Sequence, residues 1–499
     1  MRPFATAFGC ALALATMSGA LRPAVAVAQA APAAGNVLSL ADAITLARRN
    51  NPGLQTSINA RRTAAANVRA ANGQLIPSIS TGFGAGYREG RQQFFAGQGF
   101  GSTNDQLSTD ANASVSLSIT PGFLQDLAAV KASRDATEAD ITVAEQNLRN
   151  AVTTQYLTAL QQQARAALQD TLLATTTAQL QLARARLQVG SGTQLDVQRA
   201  EVADGQQRVA SLNAKNQAQI EIVRLFQQIG IPAVLDVKLD ANLPATPTVD
   251  LTAVLEQARK SNPQIAALSA REQAASKSLS SAKRAYLPSM SLSASLSAFA
   301  NRYTNTDQLI TSGQASLASQ KASCIRSEEV RAALNLSNQL AACNAISWTS
   351  ANEAAIRDAQ SKYPFGMTRN PYSLNASFSL PIFNGFRREQ QIEAATVQRK
   401  NVQNDLRTQE LRVTADVTAA YLSLNTAQQT VVLQEQNVRT ARTALQLAQE
   451  RYRVGAISIV DLVQARGDYE RAETDRITAV YDVQRAFAAL ENAVGRPLR

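Results

Sequence analysis

The 499-residue chain contains no histidine. That excludes a Ser-His-Asp or Cys-His catalytic pair and any imidazole-ligated metal. No HExxH, Gly-rich phosphate loop or CxxC motif is present either. The sequence therefore asks for no catalytic residue, no cofactor and no bound metal. With only 4 methionines and 3 cysteines, it also offers few of the soft ligands that a metal-selective path would use. Basic residues outnumber acidic ones, 49 to 38. They are scattered among Gln and Glu without forming a patch, which reads as solvated helix faces and not as a nucleic-acid site. Beyond residue 30 no run of about 18 apolar residues occurs, so no membrane-crossing helix is expected.

What is present begins with an export signal. Arg2 supplies a positive start, residues 4–21 are mostly apolar, and Ala28-Gln29-Ala30 is an A-x-A cleavage pattern. Residues 1–30 are thus expected to be a signal peptide, and Cys10 to leave with it. Cys324 and Cys343 then remain, both outside the cytosol. A disulfide between them is the favoured reading, with two free thiols as the alternative.

The rest of the chain reads as one unit written twice. Asn51-Pro52 and Pro77 recur as Asn262-Pro263 and Pro288, at an offset of 211. NASVSLSITPGF from Asn112 returns as NASFSLPIFNGF from Asn375. Tyr156 returns as Tyr421, and Gly230/Pro232 as Gly495/Pro497, at an offset of 265. The divisions are a first repeat (31–232), a Pro-rich connector (233–249) and a second repeat (250–499) with about 52 more residues in one loop. In each repeat a helix is interrupted by the Asn-Pro step, resumes, and stops at Pro77 or Pro288.

Strand pairs follow, at 78–119 and 289–380. Serines at 289, 291, 293, 295 and 297 alternate with Met290, Leu292, Ala294, Leu296 and Ala298. Ile79, Thr81, Phe83, Ala85 and Tyr87 alternate with serine and glycine in the same way. A period of two gives one apolar and one polar face, and about ten residues is the length of a membrane-crossing strand. Aromatics gather here, including Phe94, Phe95, Phe100, Phe299, Tyr303, Trp348, Tyr372 and Phe383, as at a membrane interface. The segments joining the strands, 89–108 and 301–370, read as loops.

Each second strand leads into a helical pattern of about 60 residues, on the order of 90–100 Å long. Val431, Val438, Leu445 and Tyr452 alternate with Gln434, Ala441 and Ala448 in a heptad seam; Leu173, Leu180 and Leu187 do the same with Thr176 and Ala183. Each long helix ends in V-G-x-x-[ST]-x-x-D-[VL]. The first copy uses Val189, Gly190, Thr193 and Asp196 (tip near 189–196), the second Val454, Gly455, Ser458 and Asp461 (tip near 454–461). Glycine stops one helix and the hydroxyl caps the next, so each copy is the tip of an antiparallel helical hairpin. The fold class is mainly α with a four-strand transmembrane β contribution. Four amphipathic strands cannot close a barrel alone, so they must be shared among copies of the chain or with a partner.

The duplication, the Asn-Pro steps, the S-x-S-L-[PS]-[IL]-x-x-G junctions and the two tips together resemble the TolC family of outer-membrane efflux proteins, over nearly all of the mature chain. The resemblance implies a homotrimer with one 12-stranded β-barrel in outer-membrane lipid and a long α-helical coiled-coil tunnel in the periplasm. It implies a passive duct for small molecules or proteins, as in efflux or type I secretion, working with a periplasmic adaptor (membrane fusion) protein and an inner-membrane pump. It places Asp461 at an acidic constriction, where three carboxylates around an axis favour cations. A second acid often follows three residues on; here that residue is Gln464. Asp196 and Tyr452 match gate-holding positions, while the position sometimes held by a basic partner is Ile457. The tips, Val189 to Thr193 and Val454 to Ser458, match the adaptor-contacting segments. The reading of Asp196 and Asp461 without the resemblance is a helix N-terminal acid favoured by the dipole. The alternative function is a non-conducting exported protein of the periplasm or envelope, either a coiled-coil scaffold or a closed structural barrel.

Overall fold

The computed structural model describes residues 37–498 apart from 96–97, 103, 236, 244–245 and 338, and describes the backbone but not the side chains of the strands within 91–102. The signal-peptide expectation and Cys10 lie outside the described residues. The described chain is mostly helical. It divides into two compact units that cut across the repeats. One contains the chain up to Ser57, Thr142–Asn262 and the chain from Val413; the other contains Ile58–Ile141 and Pro263–Arg412.

In chain order the elements are β1 (Val37–Leu38), α1 (Leu40–Asn50), α2 (Pro52–Gly73), β2 (Ser78–Arg88), β3 (Arg91–Phe95), β4 (Gln98–Ser102), β5 (Gln106–Ile119), α3 (Phe123–Gln188) and α4 (Gln194–Ile229). Then come β6 (Lys238–Leu239), α5 (Leu251–Ser261), α6 (Pro263–Lys283), β7 (Ser289–Tyr303), α7 (Thr306–Ala333), α8 (Leu340–Ala345) and α9 (Ser350–Ser361). The chain closes with β8 (Thr368–Arg369), β9 (Ser373–Ser379), α10 (Arg387–Arg453) and α11 (Ile459–Val494).

The first unit is helical, with a core around Tyr156, Phe226, Leu424, Phe487 and Leu490. Its Asn-Pro steps do the same work in both repeats. Asn51 ends α1 by donating its backbone N–H to Ala47 O (2.8 Å), and its side-chain oxygen accepts from Leu54 N (3.0 Å). Pro52, with no N–H to satisfy, is suited to the first position of the next helix. The Asn51 amide then donates to Gln228 O (2.8 Å), and the Asn262 amide to Ala493 O (3.0 Å). Each step therefore ties an early helix to the end of its repeat's returning helix. Gly230 (φ 89°) closes that joint, because a Cβ there would lie 2.6 Å from Asn50 O.

The second unit holds an antiparallel sheet in the order β2-β5-β7-β9, with the short β8 also on β7. Its register is unbroken, from Ser78↔Ser116 through Arg88↔Gln106, Gln106↔Tyr303 through Ile119↔Met290, and Ser289↔Ser379 through Ser295↔Ser373. One face carries paired serine hydroxyls, Ser78–Ser116 (2.8 Å), Ser80–Ser114, Ser291–Ser377 and Ser295–Ser373 (each 2.7 Å). The opposite face is apolar and exposed: Ile79 is 76% and Phe378 73% accessible, and Phe83, Tyr87, Leu296, Tyr372 and Leu374 are also exposed. Among the described residues, both outer strands, β2 and β9, have one unpaired edge.

Three expectations are corrected. The segment 301–370 is largely helical rather than a loop, because Asn305 caps α7 by accepting from Gln308 N (3.0 Å) and the helix holds no Pro and many Ala, Leu, Gln, Glu and Arg residues. The segment 89–108 contains a two-stranded ribbon, β3–β4. The resumed helices stop short of Pro77 and Pro288, at Gly73 and, after a short 3-10 turn, at Tyr286. An element not expected in the connector is β6, which pairs in parallel with β1. The buried Tyr156 hydroxyl lies between Leu38 O (2.8 Å) and Asp240 O (2.9 Å) at that pair. Burial pushes its pKa up to about 12.

Candidate functional site

The two tips are built alike. At the end of α3, Ser191 N donates to Arg186 O (2.9 Å) and Gly190 N to Leu187 O (3.0 Å), with Gly190 at φ 76°. At the end of α10, Ala456 N donates to Arg451 O (2.8 Å) and Gly455 N to Tyr452 O (3.0 Å), with Gly455 at φ 79°. These are helix-terminating turns that favour glycine at the left-handed position.

Each returning helix opens on a capping box. Asp196 N donates to Thr193 Oγ1 (3.2 Å), and Asp196 Oδ2 accepts from Thr193 N (3.1 Å) and Oγ1 (2.7 Å). Asp461 N donates to Ser458 Oγ (3.3 Å), and its Oδ2 accepts from Ser458 N (3.1 Å) and Oγ (2.8 Å). The Thr193 hydroxyl holds the Asp196 carboxyl below its ordinary range, with burial opposing. One oxygen of each carboxylate is thus committed to the helix end. Asp461 is exposed. Gln464, one turn further, is exposed and donates to Asp468 Oδ1 (3.2 Å), whose carboxylate also takes Arg471 (2.6 Å). Val189 and Val454 are more than 70% accessible, and Gly190, Thr193, Gly455 and Ser458 are exposed as well.

Between the tips lies an apolar cluster of Leu180, Ala183, Val197, Ala200, Leu445, Tyr452, Ile459 and Leu462. Ile457 packs against it. The heptad seam read from sequence falls on buried or half-buried positions throughout. Tyr452 is nearly fully buried, and burial raises its phenol pKa, with the Arg186 charge opposing.

Arg186 is the residue the sequence did not single out. Its guanidinium lies 5.1 Å from the Tyr452 ring centre, donates Nη1 to Tyr452 O (2.9 Å) and Nη2 to Ser191 O (3.3 Å). A Cβ on Gly455 would sit 3.1 Å from Nη2, so a side chain there would crowd the guanidinium. Arg186 therefore joins the end of α3 to the turn after α10. Ile457 is apolar, and the cation comes from the other repeat. The only sequence signal was the basic pair Arg186/Arg451 at the same offset of 265 as the tips.

Just above the tips, Arg466 is 9% accessible, and its Nε and Nη1 have no hydrogen-bond partner. Burial lowers its pKa, with the Glu470 charge opposing. The Glu470 carboxylate accepts from Gln169 (2.9 Å). In the other unit, Cys324 on α7 and Cys343 on α8 are joined as a disulfide, with Cα atoms 5.6 Å apart. Among the described residues no acidic or cysteine cluster could hold a metal ion, and no helix is long and apolar enough to cross a membrane.

The sequence profile of the outer membrane efflux protein family matches residues 43–231 and 254–496. The chain is similar to the pyoverdine export outer membrane protein OpmQ of Pseudomonas putida, with 24% identity over 470 residues, covering 91% of this chain and 84% of that protein. It is also similar to the outer membrane efflux protein BepC of Brucella suis, with 24% identity over 72% of this chain and 67% of that protein. Among solved structures it superposes on the outer-membrane channel OprN with a TM-score of 0.66, 18% identity, and coverage of 92% and 90% of the two chains. The open-state MtrE channel of Neisseria gonorrhoeae gives a TM-score of 0.65 at 16% identity, over 92% and 89%.

Proposed function

The chain belongs to the outer membrane efflux protein family, and from that premise we propose that it is the outer-membrane duct of a tripartite export system. The observation that carries the proposal is the sheet of β2, β5, β7 and β9. It has two unpaired edges, an exposed apolar face and a serine-lined face. Unpaired edges cannot face lipid, and only a closed barrel satisfies them there. Three copies would close twelve strands, with the apolar face on lipid and the serine face on water. Repeats 31–232 and 250–499 would each supply two strands and one hairpin to every copy. A soluble scaffold has no use for the exposed apolar face.

The tips would form the periplasmic gate. Asp461 would present its exposed carboxylate to the axis as one of three. Gln464 gives the next turn no further charge. Tyr452 would be held closed by Arg186, with Asp196 fixing the start of α4 beside it. The exposed Val189, Gly190, Thr193, Val454, Gly455 and Ser458 would meet a periplasmic adaptor, which connects in turn to an inner-membrane pump. No chemistry is required of the chain; cargo moves passively. A small secreted molecule is the cargo class to test first, since one relative is named for pyoverdine export.

Purified protein added to a planar lipid bilayer should give discrete conductance steps, and its deletion should make cells retain exported small molecules. Absence of both would leave the duct reading without support.

A further inference from the structure

We propose that Asp110 sets the ionic preference of the barrel bore, separately from the acid at the tips. The inference rests on the duct reading. The unbroken register places Asp110 on the serine face, opposite Gly84 on β2 and Phe299 on β7. Serine, glycine and asparagine fill most of that face. Along the four long strands, alternation leaves two charged side chains on it, Asp110 and, at the end of β2, Arg88, with the Tyr303 phenol at the end of β7. Arg88 is four residues beyond Gly84, about 13 Å along the strand.

Glycine is what lets the carboxylate lie where it does. A Cβ on Gly84 would fall 2.5 Å from Asp110 Oδ1, and one on Gly82 equally close to Asn112 Oδ1. The Asp110 side chain therefore lies sideways across its glycine neighbour, flat against the sheet. Asp110 is exposed. Threefold closure would repeat it as a ring of three carboxylates held to the wall, about 13 Å along the strand from the other charged side chain of that face, Arg88. Such a ring concentrates cations without narrowing the path. The Gly84 notch keeps the bore wide, and Asp110 gives it a sign.

The test is the reversal potential of the full chain in planar bilayers under a KCl gradient, in an Asp461→Asn background so that the tip acid does not mask the bore. Asp110→Asn and Asp110→Ser should both move the reversal potential toward zero or to the anion side, with single-channel conductance largely kept. Gly84→Ala should act oppositely, lowering conductance while cation preference stays, because the added methyl drives the carboxylate off the wall. Clear channels whose reversal potential is the same with and without the Asp110 carboxylate would overturn the inference while leaving the duct intact. No channels from the otherwise unaltered chain would overturn the duct reading and this inference with it.

Discussion

The two hairpin tips share a turn, a glycine and a capping box, yet they are not interchangeable. The first tip contributes Arg186 followed by Leu187; the second has Arg451 followed by Tyr452. Arg186 stacks on Tyr452 and bonds to its carbonyl, whereas Arg451 is exposed. The turn is the same in both repeats, and Leu187 against Tyr452 is the difference that gives one tip the aromatic partner of the other tip's cation. What both copies keep is what ends and starts helices. What only one copy has is what joins them.

The sharpest way to break this comparison is to remove each arginine in turn. Arg186→Met should remove the cation–π contact and the hydrogen bond to Tyr452 O that join the tips, about 2 kcal/mol in total, and shift the proposed gate toward open by roughly thirtyfold. Arg451→Met should leave the gate unchanged. Bilayer conductance of the two variants checks both, and equal effects would remove the asymmetry. Next in size is Tyr156→Phe, which takes the hydroxyl from the buried Leu38 carbonyl and the half-buried Asp240 carbonyl and should cost roughly 1–2 kcal/mol. Its repeat counterpart Tyr421 is only half buried, so Tyr421→Phe should cost less; thermal melts in detergent compare them.

Tyr156 also gives a pH signature. Its folded pKa lies above the ordinary value of 10.0, at about 12. The folded state therefore holds the proton longer, so stability is full below pH 10 and declines as pH rises toward 12. Tyr156→Phe should flatten that decline in an alkaline melting series. A similar-sized effect of opposite sign is expected at Arg466, whose buried guanidinium has two unpartnered donors. Arg466→Met should stabilise the helical unit by about 1 kcal/mol, read as a higher melting temperature. Smallest for conduction is Cys343→Ser. It should loosen α7 and α8 to protease while leaving bilayer conductance unchanged.

Much of this was legible in sequence because it depends on local rules. Strand alternation, the Gly turns and the Asn-Pro steps are each dictated by backbone geometry within a few residues. The four long strands, the buried seam from Val438 to Tyr452 and the capping hydroxyls of Thr193 and Ser458 follow from such rules. The helices in 301–370 were hidden by the long insertion, although Asn305 and the helix-forming residues after it were there to be read. The β1–β6 pair could not be seen, since two-residue strands carry no periodicity and their partners lie about 200 residues apart, with Tyr156 reaching both. The contact made by Arg186 was hidden for a related reason. Its partner lies 266 residues away, and only the packed hairpins bring them together. Asp196 and Asp461 carried two readings at once, and the geometry supplies the capping one directly; an axial role for Asp461 belongs to an assembly of copies.

That assembly is the central claim, and the detergent-corrected mass of the mature protein extracted from outer membranes tests it most directly. The account predicts the mass of three chains, stable without added partners. A water-soluble single chain would contradict it, because the exposed apolar face and unpaired edges of the sheet would then have no reason to exist.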